Sequence, residues 1–94
     1  MRLIATQPYI KVIRKFDRIE KKVWEEKRWL YLFDCKIVTS YREFPLKEVL
    51  DISYRRIGAN GGLLLIHTTG GLFSYTLKSN PEAFIYAFES IKRN

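Results

Sequence analysis

The sequence predicts a mainly β domain with one C-terminal helix: a partly open antiparallel β-barrel of about seven strands, capped by an amphipathic α-helix. Three observations carry that expectation. Apolar and polar residues alternate in short runs between residues 9 and 78, the period of strands with one buried face. Turn formers separate the runs: Pro45, "GANGG" (58–62) and Gly70-Gly71. The period then changes in "SNPEAFIYAFESIKRN", where apolar residues recur at helical spacing.

Residues 1–8 read as a lead-in that packs as an edge segment. "YIKVIRKF" (9–16) is a strand with Ile10, Val12 and Phe16 on one face. "RIEKKVW" (18–24) is a second, followed by "EEKR" (25–28) as a polar turn. "WLYLFD" (29–34) is apolar enough for a strand buried on both faces. "IVTSYRE" (37–43) is a fourth strand, ended by Pro45, which cannot donate to a ladder. "VLDISYRRI" (49–57), "LLLIHTT" (63–69) and "LFSYTLK" (72–78) complete the set. Asn60-Gly61 is a turn signal, because both residues accept positive φ.

A phosphate-cradling role for the glycine pairs is excluded by context. Such loops pass from strand into helix, so that helix N-terminal amides meet the anion. Here Gly70-Gly71 lies between two strand-like runs and suits a tight hairpin. The helix spans 80–93, with Ser79 or Asn80 as its cap, Pro81 in its first position and Glu82 at the positive end of its dipole. Phe84, Ile85, Phe88 and Ile91 form its apolar face. A helix this short must dock on the sheet to persist. Short connections require antiparallel pairing, and a twisted sheet of this size curls.

The 94 residues make one domain, 1–94, and 47% hydrophobic residues suffice for one modest core. Aromatics at 15% favour strands. Cys35 is the only cysteine, which excludes an internal disulfide framework and points to the cytosol. "MRLIATQPYIKVIRK" lacks the marks of a secretory signal, and runs such as "GLLLI" are too short to span a bilayer. Any membrane contact is then peripheral, at the inner face.

The net charge is +7, from 17 basic and 10 acidic residues, which suits an anionic partner. Residues 9–28 hold eight basic residues against Asp17, Glu20, Glu25 and Glu26, a local net of +4. The same charges also suit the solvated face of edge strands, where lysine discourages aggregation. Trp24 and Trp29 flank "EEKR", and burial statistics place at least one of them in the core. His67 and Cys35 are too few for a zinc site. No acid, base and nucleophile can be assembled into an enzyme, and no cofactor or metal is expected.

Three segments together resemble the bacterial pleckstrin-homology-like (PH-like) domains, relatives of the GRAM family. They are "FPLKEVLDISYRR", the hairpin "GGLLLIHTTGGLFSYTL" and the closing "SNPEAFIYAFESIK". The resemblance covers most of the chain, most strongly from about residue 29. It implies a non-enzymatic interaction module that binds a protein or peptide partner, or itself, or attaches electrostatically to an anionic membrane. It also implies two surfaces. One is the basic first hairpin: Lys11, Arg14, Lys15, Arg18, Lys21 and Lys22. The other is a peptide groove between the last helix and the strand carrying Asp51, Ser53, Arg55 and Arg56. The link "KFDRI" is shorter than the pocket-forming loop of lipid-binding relatives. That argues for diffuse attraction over stereospecific headgroup recognition. The alternative from a different class is a small basic barrel that binds single-stranded nucleic acid by charge and aromatic stacking.

Overall fold

Seven antiparallel strands form one sheet in the order β4-β3-β2-β1-β7-β6-β5, with one helix after them. The computed structural model describes residues 1–93. The elements are β1 (Leu3–Phe16), β2 (Lys21–Phe33), β3 (Lys36–Val38), β4 (Glu43–Pro45), β5 (Val49–Arg56), β6 (Gly62–Thr68), β7 (Gly71–Leu77) and α1 (Glu82–Lys92). A single 3-10 turn, Leu46–Glu48, joins β4 to β5.

The sheet is open but strongly curled. Its two end strands do not pair, yet Phe44 of β4 and Val49 and Ile52 of β5 enter the same core. That core takes Tyr9 from β1, Leu30 and Leu32 from β2, Ile37 from β3, Leu64 and Ile66 from β6 and Leu77 from β7. Phe84 and Phe88 of α1 close it. The result is the partly open barrel capped by a helix that the alternation predicts. The helix starts at Glu82, later than expected, with Pro81 at its cap position and not in its first turn; the Asn80 side-chain oxygen still accepts from the Glu82 N–H at 2.8 Å, satisfying one orphan donor.

The strand count of seven agrees with expectation, but its composition differs. Residues 1–8 are not an edge segment: Leu3 onward belongs to β1, which lies between β2 and β7. Pro8 is tolerated because β7 pairs with β1 at Ile10↔Thr76 alone, so on that side no continuous ladder is interrupted. "EEKR" is not a turn. Glu25 to Arg28 continue β2, paired with Val12 to Tyr9. The expected strand at 37–43 is instead two short ones, β3 and β4, joined through Thr39, whose N–H donates to the Arg42 carbonyl at 2.8 Å.

The turns also shift. Positive φ occurs at Gly58 (69°) and Gly71 (132°), and Asn60 does not adopt it. The β5–β6 loop is closed by the Ile57 N–H donating to the Gly61 carbonyl at 2.9 Å. In the β6–β7 hairpin the two-residue link is Thr69-Gly70, because Thr68 pairs with Gly71. Gly62 is the least replaceable glycine for a different reason. A Cβ there would run into the Arg55 carbonyl oxygen and come within 2.7 Å of the Tyr54 ring. Gly62→Ala should therefore destabilise the domain by about 1–3 kcal/mol, the usual cost of overpacking. Urea denaturation checks this; an unchanged midpoint would show that β5 yields without cost.

Candidate functional site

The first hairpin outgrows the barrel. β1 and β2 stay paired from Leu3↔Phe33 to Phe16↔Lys21. β3 covers β2 only at Tyr31 and Leu32, and β7 covers β1 only at Ile10. Beyond Ile10 the two strands continue as a ribbon with no third strand on either side. At ~3.4 Å per residue, Ile10 to Phe16 extends roughly 20 Å. The molecular dimensions agree: 54 × 28 × 23 Å with a radius of gyration of 14.7 Å, where a compact chain of this length would have about 12 Å. The Asp17 carboxylate builds the tip turn, accepting from the Ile19 N–H at 2.7 Å and the Glu20 N–H at 3.3 Å.

The ribbon gathers all six predicted basic residues but does not put them on one face. Side chains alternate. Lys11, Lys15 and Lys22 share the face that continues the barrel interior, with Ile13 and Trp24. Arg14 and Lys21 lie on the opposite face with Val12, Phe16 and Val23, and Arg18 sits in the turn. Lys15 stands directly opposite Lys22, a like-charged cross-strand pair that costs stability.

The ribbon's acids are already engaged. Glu20 lies 3.5 Å from Lys22, and Glu25 accepts from Lys78 of the barrel at 2.9 Å. Glu26 accepts from the Trp24 indole N–H and from Arg28. These two donors, Trp24 first, hold the Glu26 carboxyl below its ordinary range. Among the described residues, no carboxylate lies within ion-pair distance of Arg14, Lys15, Arg18, Lys21 or Lys27. All five side chains are exposed, with Lys27 over the Trp29 ring at 4.8 Å and Lys21 beside the Phe16 ring at 5.6 Å.

At the root of the ribbon lies a cleft of about 370 Å³, lined by Tyr9, Lys11, Tyr41, Arg42, Ser74 and Tyr75 among others. The Lys11 ammonium stands 4.4 Å from the Tyr41 ring centroid, with the Arg28 guanidinium at 5.4 Å from the same ring. Arg42 covers Phe73 at 4.4 Å. Tyr9 and Tyr75 meet edge to face at 5.0 Å. Arg28, Tyr41 and Arg42 were absent from the sequence-based set. Arg28 was counted among the eight basic residues of 9–28 without being singled out; Tyr41 and Arg42 sit in an irregular link that has no period.

Burial pushes the Tyr9 phenol up, partly offset by the Arg28 guanidinium, and burial, then Tyr9, pushes Tyr75 up. A proton held more tightly in the folded state stabilises fully below the unfolded pKa of about 10, and that contribution is lost as pH rises through the higher folded value. Melting temperature should therefore fall above about pH 10, alongside late phenolate absorbance from Tyr9 and Tyr75. Tyr75→Phe should flatten the decline; an identical decline in that variant would place its cause elsewhere.

The second predicted surface divides. Asp51, Ser53 and Arg55 lie on one face of β5, opposite His67, Leu65 and Leu63 of β6. Ser53 Oγ and His67 Nε2 are 3.1 Å apart. Arg56 lies on the other face, in a cleft with Tyr54, Asn60 and Asn80. The larger groove beside α1, about 670 Å³, runs along Arg2, Ile4, Leu46, Tyr86 and Ile91 and includes none of the four. Neither tryptophan is in the core: Trp24 is 40% and Trp29 39% exposed. Both sit on β2, Trp24 out on the ribbon and Trp29 beside it facing Pro8, where no layer covers them. Cys35 is exposed in the β2–β3 turn.

Among the described residues, no group of three or more His, Cys, Asp or Glu side chains is placed to hold a metal. Nor is any helix among them long and apolar enough to cross a membrane. No protein-family model matches the chain, and no curated protein matches it.

Proposed function

We propose that this chain is a non-enzymatic, PH-like interaction module whose working surface is the basic ribbon, and that the ribbon attaches it to an anionic membrane face, the cytoplasmic one. The observation that carries this reading is the group of cations on the ribbon with no carboxylate partner, standing clear of the barrel. A basic residue near an anionic leaflet contributes about 1 kcal/mol, and the effect fades within a Debye length. A ribbon held off the barrel can bring both of its charged faces and its tip to such a surface. The barrel then serves as a rigid base, and the reading requires no cofactor.

A second reading has its own observation. β5 pairs with β6 alone, so its outer edge is free to take an extended peptide as an added strand. Ribbon-to-ribbon self-association is disfavoured by like charge.

Co-sedimentation with neutral and anionic vesicles, at low and near-physiological salt and beside single-stranded DNA, tests the first reading. Salt-sensitive binding to the anionic vesicles in preference to DNA is the expected result. Preference for DNA would favour the nucleic-acid alternative, and binding to neither would move attention to the β5 edge.

A further inference from the structure

We infer that the free outer edge of β2 is a dimer interface, at which residues 20–28 of two copies of this chain pair antiparallel about a two-fold axis through Trp24. The inference goes beyond the membrane reading and does not depend on it.

β3 covers β2 only at Tyr31 and Leu32. From Lys21 to Leu30 that side of the strand meets no other strand among the described residues. An edge this long presents a row of unpaired N–H and C=O groups, ready to take an added strand. Its side chains decide which strand fits. Opposed residues of an antiparallel pair share one face of the sheet. A two-fold axis must therefore pass through one residue and its own copy.

Centred on Trp24, the axis sets Lys22 against Glu26 and Glu20 against Arg28, each twice, with Trp24 against Trp24 between them. Every pair on that face is then oppositely charged or aromatic, the cross-strand pairs that stabilise sheets. Trp24, 40% exposed in the single chain, gains a cover. On the other face Val23 meets Glu25, and Lys21 meets Lys27 with Glu25 diagonal to it. Neighbouring registers lose the match. An axis through Val23 sets Glu20 against Glu26, and one through Glu25 sets that acid against its copy and Lys22 against Arg28. Charge thus selects one register. Its overlap, Lys21 to Lys27, lies wholly on the uncovered stretch.

The net charge of the ribbons opposes their approach at long range, but that charge is concentrated away from this edge. Residues 20–28 hold four cations and three acids, a net of +1, whereas 11–16 of β1 hold three cations and no acid. The β1 edge beyond Ile10 is also uncovered, and its cations repel a copy of itself. Association through β2 alone is isologous and closes at two chains.

The test uses the full chain. Sedimentation velocity at rising concentration should show the 11.2 kDa monomer passing into a dimer. Lys22→Glu and Glu26→Lys each place like charges together twice across the axis, so either variant alone should dimerise about tenfold or more weakly. Mixed in equal amounts, the two should form a heterodimer, because every charged pair on that face is again opposite. Net charge does not explain this pattern: Lys22→Glu lowers it, which would favour association if overall repulsion governed. Circular dichroism verifies both folds. Independently of these variants, nitroxides on Trp24→Cys in a Cys35→Ser background should couple at short range, since paired strands lie about 5 Å apart. Nitroxides on Tyr86→Cys, on the helices of the two barrels, should not. A single monomeric species at every concentration would overturn the inference and leave the edge to an extended segment of another protein. So would a dimer that both charge variants form as wild type does, or one in which the Trp24→Cys labels stay far apart.

Discussion

Replacing Arg14, Lys15, Lys21 and Lys22 together by glutamine should reduce binding to anionic vesicles by roughly a thousandfold, at about 1 kcal/mol per cation removed. The fold should be left intact. All four side chains are exposed, and none touches the core cluster. Lys15 and Lys22 face each other across the ribbon, so their neutralisation relieves repulsion. The Lys22–Glu20 pair that is lost is solvent-exposed, and such pairs contribute little. Thermal melts should thus nearly superimpose while sedimentation with vesicles disappears. Wild-type affinity in a folded quadruple variant would mean that these cations only keep the protein soluble. The working surface would then lie elsewhere on the barrel.

The other large effect concerns the helix that closes the core. Phe84 is 1% exposed and belongs to the cluster that joins the helix to both ends of the sheet. Phe84→Ala should cost about 3–5 kcal/mol, the range for a phenylalanine removed from a packed core. Small domains have about 5–15 kcal/mol in total. At about 4–8 °C per kcal/mol for a chain this size, the melting temperature should fall by at least about 12 °C. The helix has 11 residues, too few to persist without docking, so its circular dichroism signal should vanish in the same transition. Tyr86→Ala is the control. Tyr86 projects from the same helix into solvent, and its loss should change stability by no more than about 0.5 kcal/mol. Equal effects at the two positions would show that the helix is not held through Phe84.

The contrast between these two positions shows what sequence patterning can convey. Phe84 and Phe88 recur at the spacing of one helical face and both are buried; Ile52, from the alternating run "VLDISYRRI", is buried too, whereas Leu50 of the same run is exposed. Patterning works there because one face is buried and the other wet. In the ribbon that contrast is missing. From Lys21 to Glu25 every side chain is exposed on both faces, so hydrophobicity has no reason to alternate. "EEKR" therefore resembled a turn although it is the middle of a strand.

The same physics explains the partial legibility of the candidate site. The six basic residues of the first hairpin were identifiable from charge, and five of them lie on the paired strands while Arg18 sits in the turn. Their division between two faces depends on register, which a shift of one residue would invert. The cleft at the ribbon's root was not identifiable. Lys11, Arg28, Tyr41 and Arg42 converge from β1, β2 and the β3–β4 link, and no local pattern encodes a meeting of segments far apart in the chain. The surface expected beside β5 is divided for a related reason. Arg55 and Arg56 are neighbours in sequence, but the pleat sends them to opposite faces.

By itself, the sequence determined the class of fold, the helix that closes it with the buried face of that helix, and a positive charge concentrated in the first hairpin. These follow from local periodicity and composition, which act residue by residue. The tertiary structure decided how far that hairpin extends beyond the sheet, which cations remain without carboxylate partners and which apolar side chains stand at its tip. Those properties depend on where β3 and β7 stop covering β1 and β2, a matter of pairing between distant segments.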